Sequence, residues 1–100
     1  MNECLLVIIA TPTIEDALVD WLLTREGMNG FTSLKIDGHG TGHQCLSIAE
    51  QVTGRSRKLM FQCHLPIEVA RDIIEGLKRD FAGSGLHYWM VPVLEAGRLE

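Results

Sequence analysis

Apolar residues run without interruption through Cys4-Leu5-Leu6-Val7-Ile8-Ile9-Ala10, the pattern of a strand covered on both faces at the centre of a sheet. The period then changes. Ile14, Ala17, Leu18, Trp21 and Leu22 recur at the i, i+3, i+4, i+7, i+8 spacing of a helix packed on a sheet. Thr11 offers an N-cap oxygen, Pro12 suits the first helical turn, Glu15 and Asp16 favour the positive end of the helix dipole, and Glu26-Gly27 closes the element. From Phe31 to Gly38 the period is two, with Leu34 and Ile36 on one face and Ser33, Lys35 and Asp37 on the other, as in a half-exposed strand. Alternation returns from about Arg57 to Leu65, where Leu59, Phe61 and Cys63 face one way and Lys58, Met60, Gln62 and His64 the other. Pro66 opens a second helix whose stripe is Val69, Ala70, Ile73, Ile74, Leu77 and Phe81, and Gly83-Ser84-Gly85 ends it. Leu86 to Leu94 reads as a last strand.

The order β-α-β-β-α-β predicts an α+β, ferredoxin-like domain, a four-stranded antiparallel sheet with both helices on one face. In that topology the first and third strands are central and the fourth is an edge. The edge segment Tyr88-Trp89-Met90-Val91-Pro92-Val93 is apolar on both faces, although the helices cover only one. Either a second copy of the chain buries the remainder, giving a homo-oligomer, or Trp89 and Met90 cover the open face by themselves. Pro92 is tolerated because an edge strand can spare a ladder donor.

Composition narrows the function classes. One hundred residues, 46% of them hydrophobic, suit a single domain over residues 1–100. A formal charge of −4 provides no positive field to hold a nucleic-acid backbone. The odd, widely spaced set Cys4, Cys45 and Cys63 lacks the density of a disulfide scaffold and points to a reducing, cytoplasmic setting. The apolar start is too short to span a bilayer and lacks a basic n-region, so no membrane insertion is expected.

Chemistry is concentrated between the second and third strands, in Gly38-His39-Gly40-Thr41-Gly42-His43-Gln44-Cys45. His39, His43 and Cys45 carry ligand types favoured by Cu or Zn, but their spacing matches no closed four-ligand zinc motif. They suit a labile metal site or a solvated loop. Cys63 and His64 do not extend the set: Cys63 lies about 26 Å from the loop base at ~3.3 Å per residue, and alternation sends the two side chains to opposite faces. Cys63 is expected in the core, and His64 to cap or flank the second helix. Arg55, Arg57 and Lys58 concentrate cations where the loop rejoins the sheet, near Gly38 and Gly40 if the strands pair as a hairpin. Glycine amides add anion donors there, so the place suits nucleotide phosphates or is a solvated strand end. Cys45 beside His43 has no third orienting group, and no enzyme activity is expected.

The topology, the long loop and the carboxy-terminal Pro92-Val93-Leu94-Glu95-Ala96-Gly97-Arg98 together resemble the PII signalling family, and more closely its PII-like branch. Gly38-His39-Gly40 is similar to the Gly-aromatic-Gly at the base of that family's T-loop, and Glu95-Ala96-Gly97-Arg98 to the Glu-Ala-x-Arg near its end. The resemblance implies a homotrimer with sheets lining its centre, a T-loop-like segment 39–56, and intersubunit clefts for adenine nucleotides to which Arg98 contributes. It also implies a regulatory role on a partner protein, a membrane transporter. The link of the PII-like branch with heavy-metal efflux, and the related divalent-cation tolerance proteins, raise an alternative in which the loop binds Cu or Zn. Departures are equally specific. The family's T-loop tyrosine has no counterpart, Thr41-Gly42 replaces the glutamine that helps bind 2-oxoglutarate, and Ala82 to His87 is shorter than the family's phosphate loop. Glu100 stands where a second arginine is expected. Residues Leu46 to Val52 are amphipathic enough for a short helix on docking.

Overall fold

The computed structural model of the chain describes residues 2–39 and 55–100. Four strands form one antiparallel sheet: β1 (Glu3–Ala10), β2 (Thr32–His39), β3 (Arg55–Pro66) and β4 (His87–Pro92), in the order β2-β3-β1-β4. The uninterrupted apolar run of β1 is explained by its place, since β3 pairs along one side of it and β4 along the other. Leu6, Ile8 and Ala10 face the helices and are buried, while Val7 on the opposite face is also buried. The central strands and the β4 edge stand where the hydrophobic pattern puts them.

Helix α1 (Glu15–Leu23) seals the sheet with Leu18 and Leu22, and α2 (Ile67–Asp80) with Ala70, Ile73, Ile74 and Leu77. These side chains meet Leu59, Phe61, Cys63 and Leu65 of β3 in one core. Cys63 is a core thiol, as its alternation requires. The first helix begins differently from its sequence signals. Pro12–Ile14 form a 3₁₀ turn, and the Thr11 hydroxyl pairs with that of Thr13 at 2.9 Å instead of capping a backbone N–H. A proline there fixes φ without needing a donor, so the tighter turn forms ahead of the α-helix. Ala17 is exposed, outside the packed stripe.

The helices cross at a glycine. A Cβ on Gly76 would lie 2.7 Å from Cζ2 of Trp21. The indole N–H of Trp21 donates to Asp80 Oδ2 at 2.8 Å, its ring meets Phe81 edge-on, and Arg25 stacks 4.1 Å from its centroid. The Asp80 carboxyl is held below its ordinary range, first by the Arg79 hydrogen bond and then by that of Trp21.

Among the described residues no helix covers the other face of the sheet. Register places Leu5, Val7 and Ile9 of β1 there, level with Val91, Trp89 and His87 of β4. Leu34 of β2 and Met60 of β3 lie opposite each other on the same face. Trp89 keeps 45% of its surface exposed and Leu34 43%, so Trp89 does not seal this face alone. Met90 points the other way and packs against the helix-side core. No helix among the described residues is long and apolar enough to cross a membrane.

Candidate functional site

β3 is longer than β1, and beyond Leu59, which pairs with Ala10, β2 is the one strand among the described residues that accompanies it. The result is a two-stranded arm. In it Ile36 lies opposite Lys58, Asp37 opposite Arg57, Gly38 opposite Ser56 and His39 opposite Arg55. The hairpin therefore brings Gly38, His39, Arg55, Arg57 and Lys58 to one end of the sheet. His39 and Arg55 belong to the ladder, and Gly40, His43 and Cys45 lie outside the described residues, as does the amphipathic stretch 46–52.

Gly38 has a steric reason to be glycine. A Cβ there would come within 3.2 Å of Ser56 Oγ and 3.3 Å of Lys58 Cγ, so its absence lets both side chains lie close across the ladder. On the helix side of the arm, Pro12 and Glu15 approach β2 and β3 and close a cleft of ≈ 570 Å³, whose other walls are Lys35, Ile36, Asp37, Arg57, Lys58 and Leu59. Alternation puts the side chains of Lys35, Asp37, Arg57 and Leu59 on this face with Pro12 and Glu15, while Ile36 and Lys58 border the cleft through the strands and turn their side chains to the open face. Asp37 Oδ2 also lies 3.4 Å from Nη1 of Arg55. Such a cleft can hold a compact anion with an apolar portion: cationic groups pair with the charge, and Pro12 and Leu59 offer apolar surface.

The sequence reading named Arg55, Arg57 and Lys58 of β3, of which Arg57 has its side chain on the cleft's face; it did not name Lys35, Asp37, Pro12 or Glu15. The period-two pattern placed Lys35 and Asp37 on one face of β2; only the 3₁₀ turn lying over that face makes them walls of a cleft.

Arg98 is elsewhere in the chain. β4 ends with Pro92 opposite Cys4, and the Val93 N–H donates to the Glu3 carbonyl at 3.2 Å, so the tail departs from the far end of β1. That point is about 20 Å along the strand from the cleft end at ~3.3 Å per residue. In the tail Arg98 Nε lies 3.9 Å from Glu100 Oε1. His64 also stands apart: it does not cap α2 but pairs with Glu3 at 3.2 Å. Alternation puts it on the open face, away from the helices. Among the described residues no group of three His, Cys, Asp or Glu side chains could hold a metal ion.

A smaller groove of ≈ 120 Å³ lies between α2 and β4, lined by Leu77, Lys78, Phe81, Gly83, Gly85 and Tyr88 among others. Gly83 and Gly85 have φ of 77° and 80°, a backbone region that disfavours other residues. This turn fixes the entry of β4.

The family model described as a protein of unknown function, DUF3240, matches residues 1–100. The crystal structure of a DUF3240 family protein from Shewanella baltica OS155 is 25% identical, with a TM-score of 0.81 over 100% of this chain and 99% of that one. CPII, a nitrogen regulatory PII-like protein from Thiomonas intermedia K12 solved with ADP, AMP and bicarbonate, is 21% identical, with a TM-score of 0.72 over 98% of this chain and 96% of its own. A proposed PII-like signalling protein from Thermus thermophilus is 21% identical, with a TM-score of 0.63 over 91% and 88% of the two chains. No curated protein matches the chain in sequence. The fold is that of PII-like proteins.

Proposed function

The chain belongs to the DUF3240 family, and from that membership and its PII-like fold we propose that it is a non-enzymatic, homotrimeric regulatory protein that binds a small anionic ligand at the β2–β3 arm. The observation that carries this reading is the cleft, where Lys35 and Arg57 lie on one face beside Pro12 and Leu59 at the root of the connection 40–54. An adenine nucleotide suits its charge and size, and the PII-like protein CPII was solved with ADP and AMP. The backbone of Gly38 lies at the same end of the arm, and Arg55 adds a further cation there.

Three copies associate through the open sheet faces, burying Leu5, Ile9, Leu34, Met60 and Trp89. Arg98, which leaves the sheet at the opposite end, then serves the cleft of a neighbouring copy. Ligand occupancy biases the T-loop-like segment 39–56 between states that differ in affinity for a partner, here a membrane transporter, since only differential affinity shifts such an equilibrium. Cu or Zn at His39, His43 and Cys45 is the alternative trigger.

Calorimetric titration of the full chain separates these readings. ADP is expected to bind saturably, and Arg57→Gln to weaken it by about tenfold, the loss of one charge-assisted hydrogen bond. Replacing His39 and His43 with alanine leaves ADP binding in place. Absence of binding by AMP, ADP, ATP and bicarbonate, together with Cu or Zn binding lost in the histidine variant, would replace the anion reading with the metal one.

A further inference from the structure

The cleft contains a carboxylate that an anion site does not need. Alternation lines Lys35, Asp37 and His39 of β2 and Arg55, Arg57 and Leu59 of β3 along the helix-side face of the arm. Asp37 is thus set among cations, a wall of the cleft and simultaneously 3.4 Å from the Arg55 guanidinium. Arg55 is about 7 Å along the strand from Arg57 on the same face, within the span of an arginine side chain. The side chains of the pair are 54% and 47% exposed, so water competes for both partners and the pair exchanges readily. Glu15, the second carboxylate of the cleft, comes from the other side, at the start of α1.

We propose that Asp37 is an internal counter-anion: its carboxylate holds Arg55 while the cleft is empty and releases it to the phosphate of a bound nucleotide, so that Asp37 sets the ligand concentration to which the site responds. The inference rests on the anion-binding reading of the cleft. Two effects act in the same direction. A bound phosphate is repelled by Asp37, and it must also compete with Asp37 for Arg55. Removing the charge at residue 37 relieves both, whereas removing Arg55 leaves the direct repulsion and the proximity of Asp37 to Arg57, which stands opposite it in the ladder. Asp37 is therefore a positioning residue, acting largely through Arg55.

The test is a double-mutant cycle read by calorimetry on the full chain, with ADP and inorganic phosphate as separate probes. Asp37→Asn is expected to tighten ADP by about fivefold, the factor that one exposed ion pair is worth. Asp37→Glu keeps the charge and stays near wild type. In an Arg55→Gln background the gain from Asp37→Asn falls to about twofold or less. The same pattern with inorganic phosphate assigns the effect to the phosphate group, and a gain confined to ADP overturns that assignment. An Asp37→Asn chain that binds ADP no tighter than wild type, or a fivefold gain that persists without Arg55, overturns the role of Asp37 while leaving the cleft a binding site. Absence of binding in both wild type and Asp37→Asn overturns the cleft reading itself, and the proposal with it. Binding by Asp37→Asn alone supports both. Thermal melts of each variant confirm folding, since the exposed pair adds little to stability.

Discussion

Cys63 is fully buried on the helix side of β3, and its thiol is pushed up from 9.0 to about 11, chiefly by burial and secondarily by the nearby Cys4 thiol. The Cys4 thiol is raised as well, again chiefly by burial. In the unfolded chain Cys63 loses its proton around the ordinary 9.0, whereas the native chain keeps it until about 11. Between those values the unfolded state binds fewer protons, so stability falls as pH rises from 9 towards 11, and this group causes no change below that window. Urea melts at several pH values should show that decline in the wild type and a shallower one in Cys63→Ala; an unchanged slope would remove Cys63 as its source. Its core position was legible because Leu59, Phe61 and Cys63 alternate on one face of an apolar strand. The role of Asp37 was not, because a carboxylate in an alternating polar register reads as solvent-facing until the opposite strand supplies Arg55 and Arg57.

The two helices depend on the contact between Gly76 and Trp21. Glycine inside a helix costs about 1 kcal/mol relative to alanine, and its presence in α2 signals a packing need that the sequence pattern alone does not locate. Gly76→Ala should improve helix propensity yet place a methyl 2.7 Å from the indole. The net result is a loss of about 1–3 kcal/mol, seen as a Tm drop of about 4–8 °C for each kcal/mol. In a Trp21→Leu background the same change should become neutral or stabilising; equal losses in both backgrounds would show that the clash is not the cause. Elements with strong periodicity, β1, β3 and α2, were readable because their buried faces are continuous. The start of α1 was not, because Thr11 and Pro12 fit an α-helical N-terminus and a 3₁₀ turn equally well. The arm was readable in part, since hairpin register alone carries Arg55, Arg57 and Lys58 to Gly38, whereas the cleft needs the 3₁₀ turn folded over β2.

For the whole molecule, the decisive feature is the division of labour between the two faces of the sheet. Helices α1 and α2 complete one face, while the other presents Leu5, Ile9, Leu34, Met60 and Trp89 around the buried Val7, the apolar surface that the proposed trimer would cover. The proposed trimer would bring together two positions that a single chain keeps apart, the cationic cleft at one end of the sheet and Arg98 beyond the other. The proposal thereby links assembly to ligand binding, since a site shared between copies is complete only in the oligomer. A crystal structure of the full chain with ADP tests this account most directly. It predicts three copies packed through their open sheet faces, ADP phosphate oxygens within hydrogen-bond distance of Lys35 and Arg57, and Arg98 of a neighbouring copy at the same ligand; open faces left in solvent, or ADP absent from the cleft at saturating concentration, would contradict it.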